Sequence, residues 1–424
     1  MSLPSKVDTA VIGAGHTGLI MSWFLGQGGR DHIVLERRST LGGGWQDRWD
    51  EFCLVSPNWC ASFPGDPYSG NDPDGFMPRD HIVARIAGYA AAIDAPVALE
   101  TELERLSPMA TGGFRLDTNQ GSMEATNVVV AVGSFHVPRP PEISAALPRR
   151  LTQLHSHDYR NERSLPPGAI LVVGSGQTGV QLAEELSEAG REVYLSVGTA
   201  GRAPRRYRGS DTFRWLAGLA TRGDELGVSL PTVEALKDPA LRLAGNPHVS
   251  GHHGGHDTNL REMAAAGLHL VGRIDDVDAE RLVLRGDLAA NLAWADRFFD
   301  ERFKELADTF IERAGIDAPP DDRTTFAFDP PEPAELDLGR TGISTVLWTT
   351  GYRREYPWLD LPIIDQHGIP RQRRGVTEVP GLYFLGLLWQ TSQASATLFG
   401  PVPDARHLAE QIGLRVPAEV PAFV

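Results

Sequence analysis

The sequence is short of several features that would each point to a particular chemistry. Cysteine occurs only as Cys53 and Cys60. Their spacing matches neither a redox C-x-x-C nor a zinc pair, and two thiols make no disulfide framework, so both read as buried or half-buried thiols. Lysine is confined to Lys6, Lys237 and Lys304, and the formal net charge is -15. That balance excludes a free nucleic-acid binder, and it means that any anionic ligand must be held by local backbone amides or arginines. No run approaches the ~18 apolar residues of a membrane span. The opening "MSLPSKVDTAVIG" lacks the basic start and long apolar stretch of a secretory signal, so the expectation is a cytoplasmic protein with no membrane partner. What remains is ordinary for a soluble chain: 424 residues with 41% apolar and 22% charged content, enough for two or three domains.

The features that are present are two copies of one pattern. In "TAVIGAGHTGLIMSWFL" a β-prone run (Val7 to Ile12) leads into Gly13-x-Gly15-x-x-Gly18, and Leu19, Ile20, Trp23 and Phe24 follow at helical spacing. The glycines suit a tight turn, a close approach by pyrophosphate and a helix packed hard on its strand, with the phosphate at the helix N-terminus. A second strand, "HIVLERR", ends in Glu36 and Arg37, about where a ribose hydroxyl needs an acceptor. The second copy runs from Ile170 through Gly174-x-Gly176-x-x-Gly179, with Gln177 and Thr178 opening its helix. The strand after it, "REVYLSVG", ends in no acid. It is followed by Arg202, Arg205, Arg206 and Arg208. Arginine in place of the acid favours a 2′-phosphate, with Arg202 and Arg205 as first choices. The pair of patterns therefore predicts FAD at the first site and NADPH at the second, with hydride passing between them.

The expected fold class is α/β: two Rossmann-like dinucleotide-binding domains, the NADPH domain inserted into the FAD domain. The expected boundaries are 1–160 for the first FAD segment, 161–335 for the NADPH domain with a partly helical insertion, and 336–424 for the C-terminal FAD segment. "NVVVAVGSF" reads as a strand returning to the first sheet and ending at Gly133. "STVLWTTGYR", with Gly351, echoes it and is assigned to the C-terminal FAD segment, as are "VPGLYFLGLLWQ", ending at Gly386, and the closing helix "PDARHLAEQI". The stretch from Asp287 to Gly315 reads as one long amphipathic helix, and "HLVGRIDDVDAERLVL" as a strand pair. His248, His252, His253 and His256 lie in a glycine-rich stretch without paired acids or cysteines. No metal is expected there; the stretch reads as a mobile loop over the nicotinamide.

The two fingerprints, "LGGGWQDRWD", "SPNW", "HSHDY" and "TTGYR" together resemble the class B flavin monooxygenases over nearly the whole chain. That group includes the flavin-containing, Baeyer–Villiger and YUCCA-type enzymes, and short bacterial flavoproteins of the CzcO-like type look similar too. The family's F-x-G-x-x-x-H-x-x-x-[FWY] signature is half matched by "RRLTQLHSHDY": His155 and Tyr159 fit, while Arg149 and Leu151 replace the phenylalanine and glycine. The resemblance implies that Gly43, Gly44 and Trp45 lie along the FAD, with Leu103, Gly133, Gly351 and Gly386 as further cofactor contacts. It also implies that the Asn58 amide donates beside the flavin. The stretch "LLWQTSQASATLFG" would face the flavin or the substrate. Arg48 is available as the flavin-facing arginine that a Baeyer–Villiger enzyme carries. The implied reaction is oxygenation of a small organic molecule with NADPH and O2 through a C4a-(hydro)peroxyflavin, by N- or S-oxygenation or Baeyer–Villiger insertion. The alternatives are an NADPH-dependent flavin reductase or oxidase without a stable peroxide, and a non-catalytic nucleotide-binding protein. The cofactor carries the chemistry, which is why no triad or metal set is needed. The sequence leaves the oligomeric state open, a homodimer included.

Overall fold

The computed structural model describes residues 3–238, 241–242 and 246–414. Both glycine patterns begin on strands that are buried on both faces, as the cores of parallel sheets are. Lys6–Ile12 pairs in parallel with His32–Leu35 on one side and Gly121–Val130 on the other. Val97–Ala98 extends one edge, and Leu382–Phe384, Val376–Thr377 and Gln372–Arg373 extend the other. Leu103–Pro108 and Phe114–Thr118 form an antiparallel meander on Gly121–Val130, completing nine strands.

The second sheet has five parallel strands in the order His269–Val271, Val193–Ser196, Ala169–Val173, Ile343–Trp348, Thr152–His155. This corrects the expected assignment at two points. Ile343–Trp348, expected in the first-sheet segment that starts at 336, lies between two strands of the second sheet. Thr152–His155, expected before the boundary at 161, is that sheet's edge. The physical reason is burial. Val346, Leu347 and Trp348 are nearly fully buried and pack in the apolar clusters of the second sheet, where Ala169–Val173 supplies a matching all-buried partner. Leu382–Phe384 and the helix Pro401–Gln411 do return to the first half, where that helix packs on His16–Gln27.

The chain thus crosses between the halves twice, and the two crossings pair with each other. Val137–Pro138 runs antiparallel to Tyr352–Arg353, and Arg139 N–H donates to Gly351 O at 3.1 Å. The expected long helix is present as Leu288–Phe299 and Glu305–Arg313 joined by one π turn, Asp300–Lys304. The expected strand pair is a hairpin, Ile274–Asp278 with Arg281–Leu284, while His269–Val271 joins the second sheet. No helix among the described residues is long and apolar enough to cross a membrane.

Candidate active site

The two fingerprint turns have the same local geometry. Gly13 has φ +102° and Gly174 φ +109°, values that disfavour any side chain. A Cβ on Gly18 would lie 1.9 Å from Gly13 O, and one on Gly179 would lie 1.8 Å from Gly174 O. In each copy the helix can therefore sit against its strand only because no side chain intervenes. The first turn abuts Ala131, and the second abuts Thr349 in the same way. The likeness of "AVG" and "TTGY" is real, but it reflects equivalent places in two sheets rather than membership of one.

Both helices are open to an anion at their N-termini. Gly15 and Gly176 provide no side-chain cap, and neither first turn holds an acid. The first-turn N–H groups are left for an external acceptor, which the helix dipole also favours. Among the described residues, nothing lies within 4 Å of a Cβ placed on Gly176 or Gly44. The Gly-Gly-x-Trp stretch folds onto the first turn, where a Cβ on Gly43 would lie 3.0 Å from Gly15 Cα. The Trp45 ring is 6.4 Å from that of His16. These cradles fit two dinucleotides.

The strand ends differ as their sequences do. Buried Glu36 accepts the N–H of Ala14 at 2.9 Å and of Arg38 at 3.0 Å, so its carboxylate is fixed at the lip of the first turn. Arg37 is exposed beside it. Leu103 is buried in the first-sheet core with Ala98, Leu106 and Leu116. Gly133 and Gly386 have φ of +78° and +82° at the ends of neighbouring strands. In the second half, Ser175 Oγ takes the N–H of Gly198 at 3.0 Å where an acid would stand.

The arginines there separate by environment. Arg205 is 3% exposed. It pairs with Asp211 at 2.6 Å and donates to Val55 O at 2.6 Å and Ser250 O at 3.3 Å. Its guanidinium ties the two halves together, which corrects its expected part in holding a phosphate. Arg208 is likewise engaged, with Asp308 at 3.0 Å and Pro319 O at 2.9 Å. Arg202 makes one long pair with Asp296 (3.2 Å), an acid it shares with Arg261.

The side chain of Gln177, expected as a cofactor contact, is engaged within the protein, while its backbone N–H stays among the first-turn donors. Its Nε2 donates to Val249 O at 2.8 Å, and its Oε1 accepts Val249 N–H at 3.0 Å. Thr178, next on the helix, is half-buried. The histidine stretch, expected as a mobile loop, makes several side-chain contacts with the rest of the second half. His248 is fully buried and bonds Thr258 Oγ1 at 2.9 Å. His256 and His253 pair with Glu184 (2.6 Å) and Glu188 (2.9 Å) on the same helix.

Asn58 is 6% exposed and its Nδ2 donates to Asp72 O at 2.9 Å. The atom left without a partner is the acceptor Oδ1, which is the reverse of the free donor expected. It borders a cavity of about 490 Å³ with Phe76, Met77, His81 and Arg85. The two matching residues of the signature are both engaged at the crossing between the halves. His155 Nε2 bonds Gly351 O at 3.0 Å, and burial holds its imidazole below the ordinary value. Tyr159 Oη donates to Glu185 Oε1 at 2.9 Å. Sequence reasoning did not find the Gln177 clamp or the buried Arg205–Asp211 pair.

Comparison with known proteins gives this geometry its context. The pyridine nucleotide-disulphide oxidoreductase family model matches residues 10–216. An uncharacterized CzcO-like oxidoreductase of Geobacillus kaustophilus is 30% identical over 96% of this chain and 98% of its own length. An indole-3-pyruvate monooxygenase of the YUCCA type from rice, Oryza sativa, is 29% identical over 49% of this chain and 53% of its own. Among solved structures, a flavin-containing monooxygenase from Stenotrophomonas maltophilia covers 97% of this chain and 99% of its own with a TM-score of 0.65, at 20% identity. The chain belongs to the class B flavin monooxygenase family, flavin-dependent oxidoreductases whose cofactors are FAD and NADPH.

Proposed function

We propose that this protein is an NADPH- and O2-dependent monooxygenase acting on a small organic molecule in the cytoplasm, by N- or S-oxygenation or Baeyer–Villiger insertion. When bound, the flavin would supply the redox chemistry that activates O2. The observation that carries the reading is the duplicated turn with unlike strand ends, one closed by Glu36 and the other bare of acid and near Arg202. One dinucleotide with a free ribose hydroxyl suits the first, and one with a 2′-phosphate suits the second.

The side chains position and shield. Glu36 accepts from the FAD ribose, and the N-terminus of His16–Gln27 takes the pyrophosphate. Gly43, Gly44 and Trp45 cover the same cofactor. Arg202 holds the 2′-phosphate, and Gln177 fixes the segment that packs along the NADPH helix. We assign the FAD domain to the two stretches that build the first sheet. The NADPH domain is the stretch between them, with Thr152–His155 and Ile343–Trp348 included. Thiol chemistry is not favoured, because Cys60 is fully buried and burial pushes the Cys53 thiol up to about 12, leaving no reactive thiolate.

The test supplies the purified holoprotein with NADPH, 18O2 and a panel of amines, thioethers and ketones. Transfer of one labelled oxygen atom to product, matched to NADPH consumed, supports the proposal. NADPH oxidation that yields only hydrogen peroxide across the panel points instead to an oxidase.

A further inference from the structure

Arg48 is a half-buried cation that makes no ion pair among the described residues, although Asp47 is near enough to favour its charge. It follows the helical turn Gly43–Asp47, and its guanidinium carbon lies 5.9 Å from the Trp45 ring centroid, 5.6 Å from that of Phe52 and 5.6 Å from that of Phe135. Its Nε is buried without a hydrogen-bond partner, and among the described residues no carboxylate pairs with it. The two acids nearest in sequence are taken by other arginines: Asp47 by Arg38 at 2.6 Å and Asp50 by Arg79 at 2.7 Å. The Phe135 ring meets Tyr352 at 5.5 Å, and Tyr352 meets His155 at 4.9 Å. The cage therefore stands where the two halves of the molecule join.

A charge partly withdrawn from water, with a buried Nε that has no partner, is unfavourable, and aromatic faces offset only part of that cost. Such a charge is sensible where an anion arrives to complete it. Each fingerprint already has its own phosphate seat at a helix N-terminus, so Arg48 marks a third anion position between them. Guanidinium presents a planar fork that suits a two-oxygen anion. The outer wall of the cage, Phe135, is 52% exposed, so the position is reachable from solvent.

We propose that Arg48 recognises an oxyanion at the reaction site, and that this anion is the carboxylate of the substrate, which makes the substrate a small organic acid. The inference rests on the oxygenase reading and narrows it. The other source of the same chemistry is a phosphate of the nicotinamide dinucleotide, and the two can be told apart.

The holoprotein and its Arg48→Met and Arg48→Lys variants are titrated calorimetrically with benzoate, with neutral benzamide and with NADP+, after far-UV circular dichroism has established that each is folded. Benzoate should bind the wild-type protein, and benzamide about tenfold more weakly or worse. Arg48→Met should weaken benzoate about tenfold or more, Arg48→Lys should do so less, and NADP+ should be little changed. Absence of benzoate binding to the wild-type protein, or equal binding to all three, would overturn the proposal. Loss of NADP+ affinity with benzoate unaffected would also overturn it and give Arg48 to the dinucleotide phosphate. Calorimetry reports binding whatever the flavin does, so a protein that takes up no FAD fails the oxygenase reading separately.

Discussion

Gln177 grips the backbone of Val249 at both of its groups, donating to the carbonyl at 2.8 Å and accepting the N–H at 3.0 Å. The first residue of the NADPH-site helix is thereby a strap for residues 248–256. Two neutral hydrogen bonds contribute about 1–3 kcal/mol together. Gln177→Ala should release the strap, speeding amide hydrogen exchange across 248–256 and raising KM for NADPH several-fold. FAD content should stay as in the wild-type protein. Unchanged exchange there would contradict the strap.

Glu36 is held by the N–H groups of Ala14 and Arg38. Glu36→Ala strands both donors and removes the ribose acceptor. Loss of a charged hydrogen bond costs about 1.5–3 kcal/mol, on the order of 10–100-fold in affinity. Flavin retained through gel filtration, read as the visible-to-ultraviolet absorbance ratio, should fall accordingly. Retention at the wild-type level would remove Glu36 from the FAD site.

The two arginines chosen from sequence should now behave differently. Arg205→Met leaves Asp211 buried without its partner. That change costs about 3–5 kcal/mol and lowers Tm by roughly 6–20 °C at the ~2–4 °C per kcal/mol of domains this size. The ratio of NADPH to NADH use should not move. Arg202→Ala should do the opposite, leaving Tm close to the wild-type value and raising KM for NADPH about tenfold with NADH unaffected. Steady-state kinetics with both reductants, beside thermal denaturation, separates the cases.

Glu185 gives a pH dependence. Burial, opposed by the bond from Tyr159, pushes its carboxyl up to about 7. The acids Asp50 and Glu51 add to the upward shift. Its folded value is raised above the unfolded value, so its contribution is complete below the unfolded pKa and is lost as pH rises through about 7. Glu185→Gln keeps the uncharged form. The Tm of that variant relative to wild type should therefore rise between about pH 5 and pH 8. A constant difference across that range would contradict the shift.

Both glycine turns, Glu36 and the closing helix were legible because each is encoded within about thirty residues of itself. Ile343–Trp348 was misplaced because an apolar strand ending in a glycine turn fits either sheet; only its burial beside Ala169–Val173 decides. Arg205 read as a phosphate ligand because a basic run shows charge but not burial, and its partners Val55 and Ser250 are far away in sequence. For the same reason the Gln177 clamp could not be seen. Asn58 was expected to donate beside the flavin; which of its amide atoms is free depends on Asp72, a loop residue that periodicity does not position.

The most direct measurement of the oxygenase assignment is rapid mixing of the NADPH-reduced, anaerobic holoprotein with O2, followed by flavin absorbance. The prediction is a species distinct from reduced and oxidised flavin that persists after mixing and decays faster when an oxidisable substrate is added. Direct return to oxidised flavin with one hydrogen peroxide per NADPH, unaltered by any substrate, would contradict it.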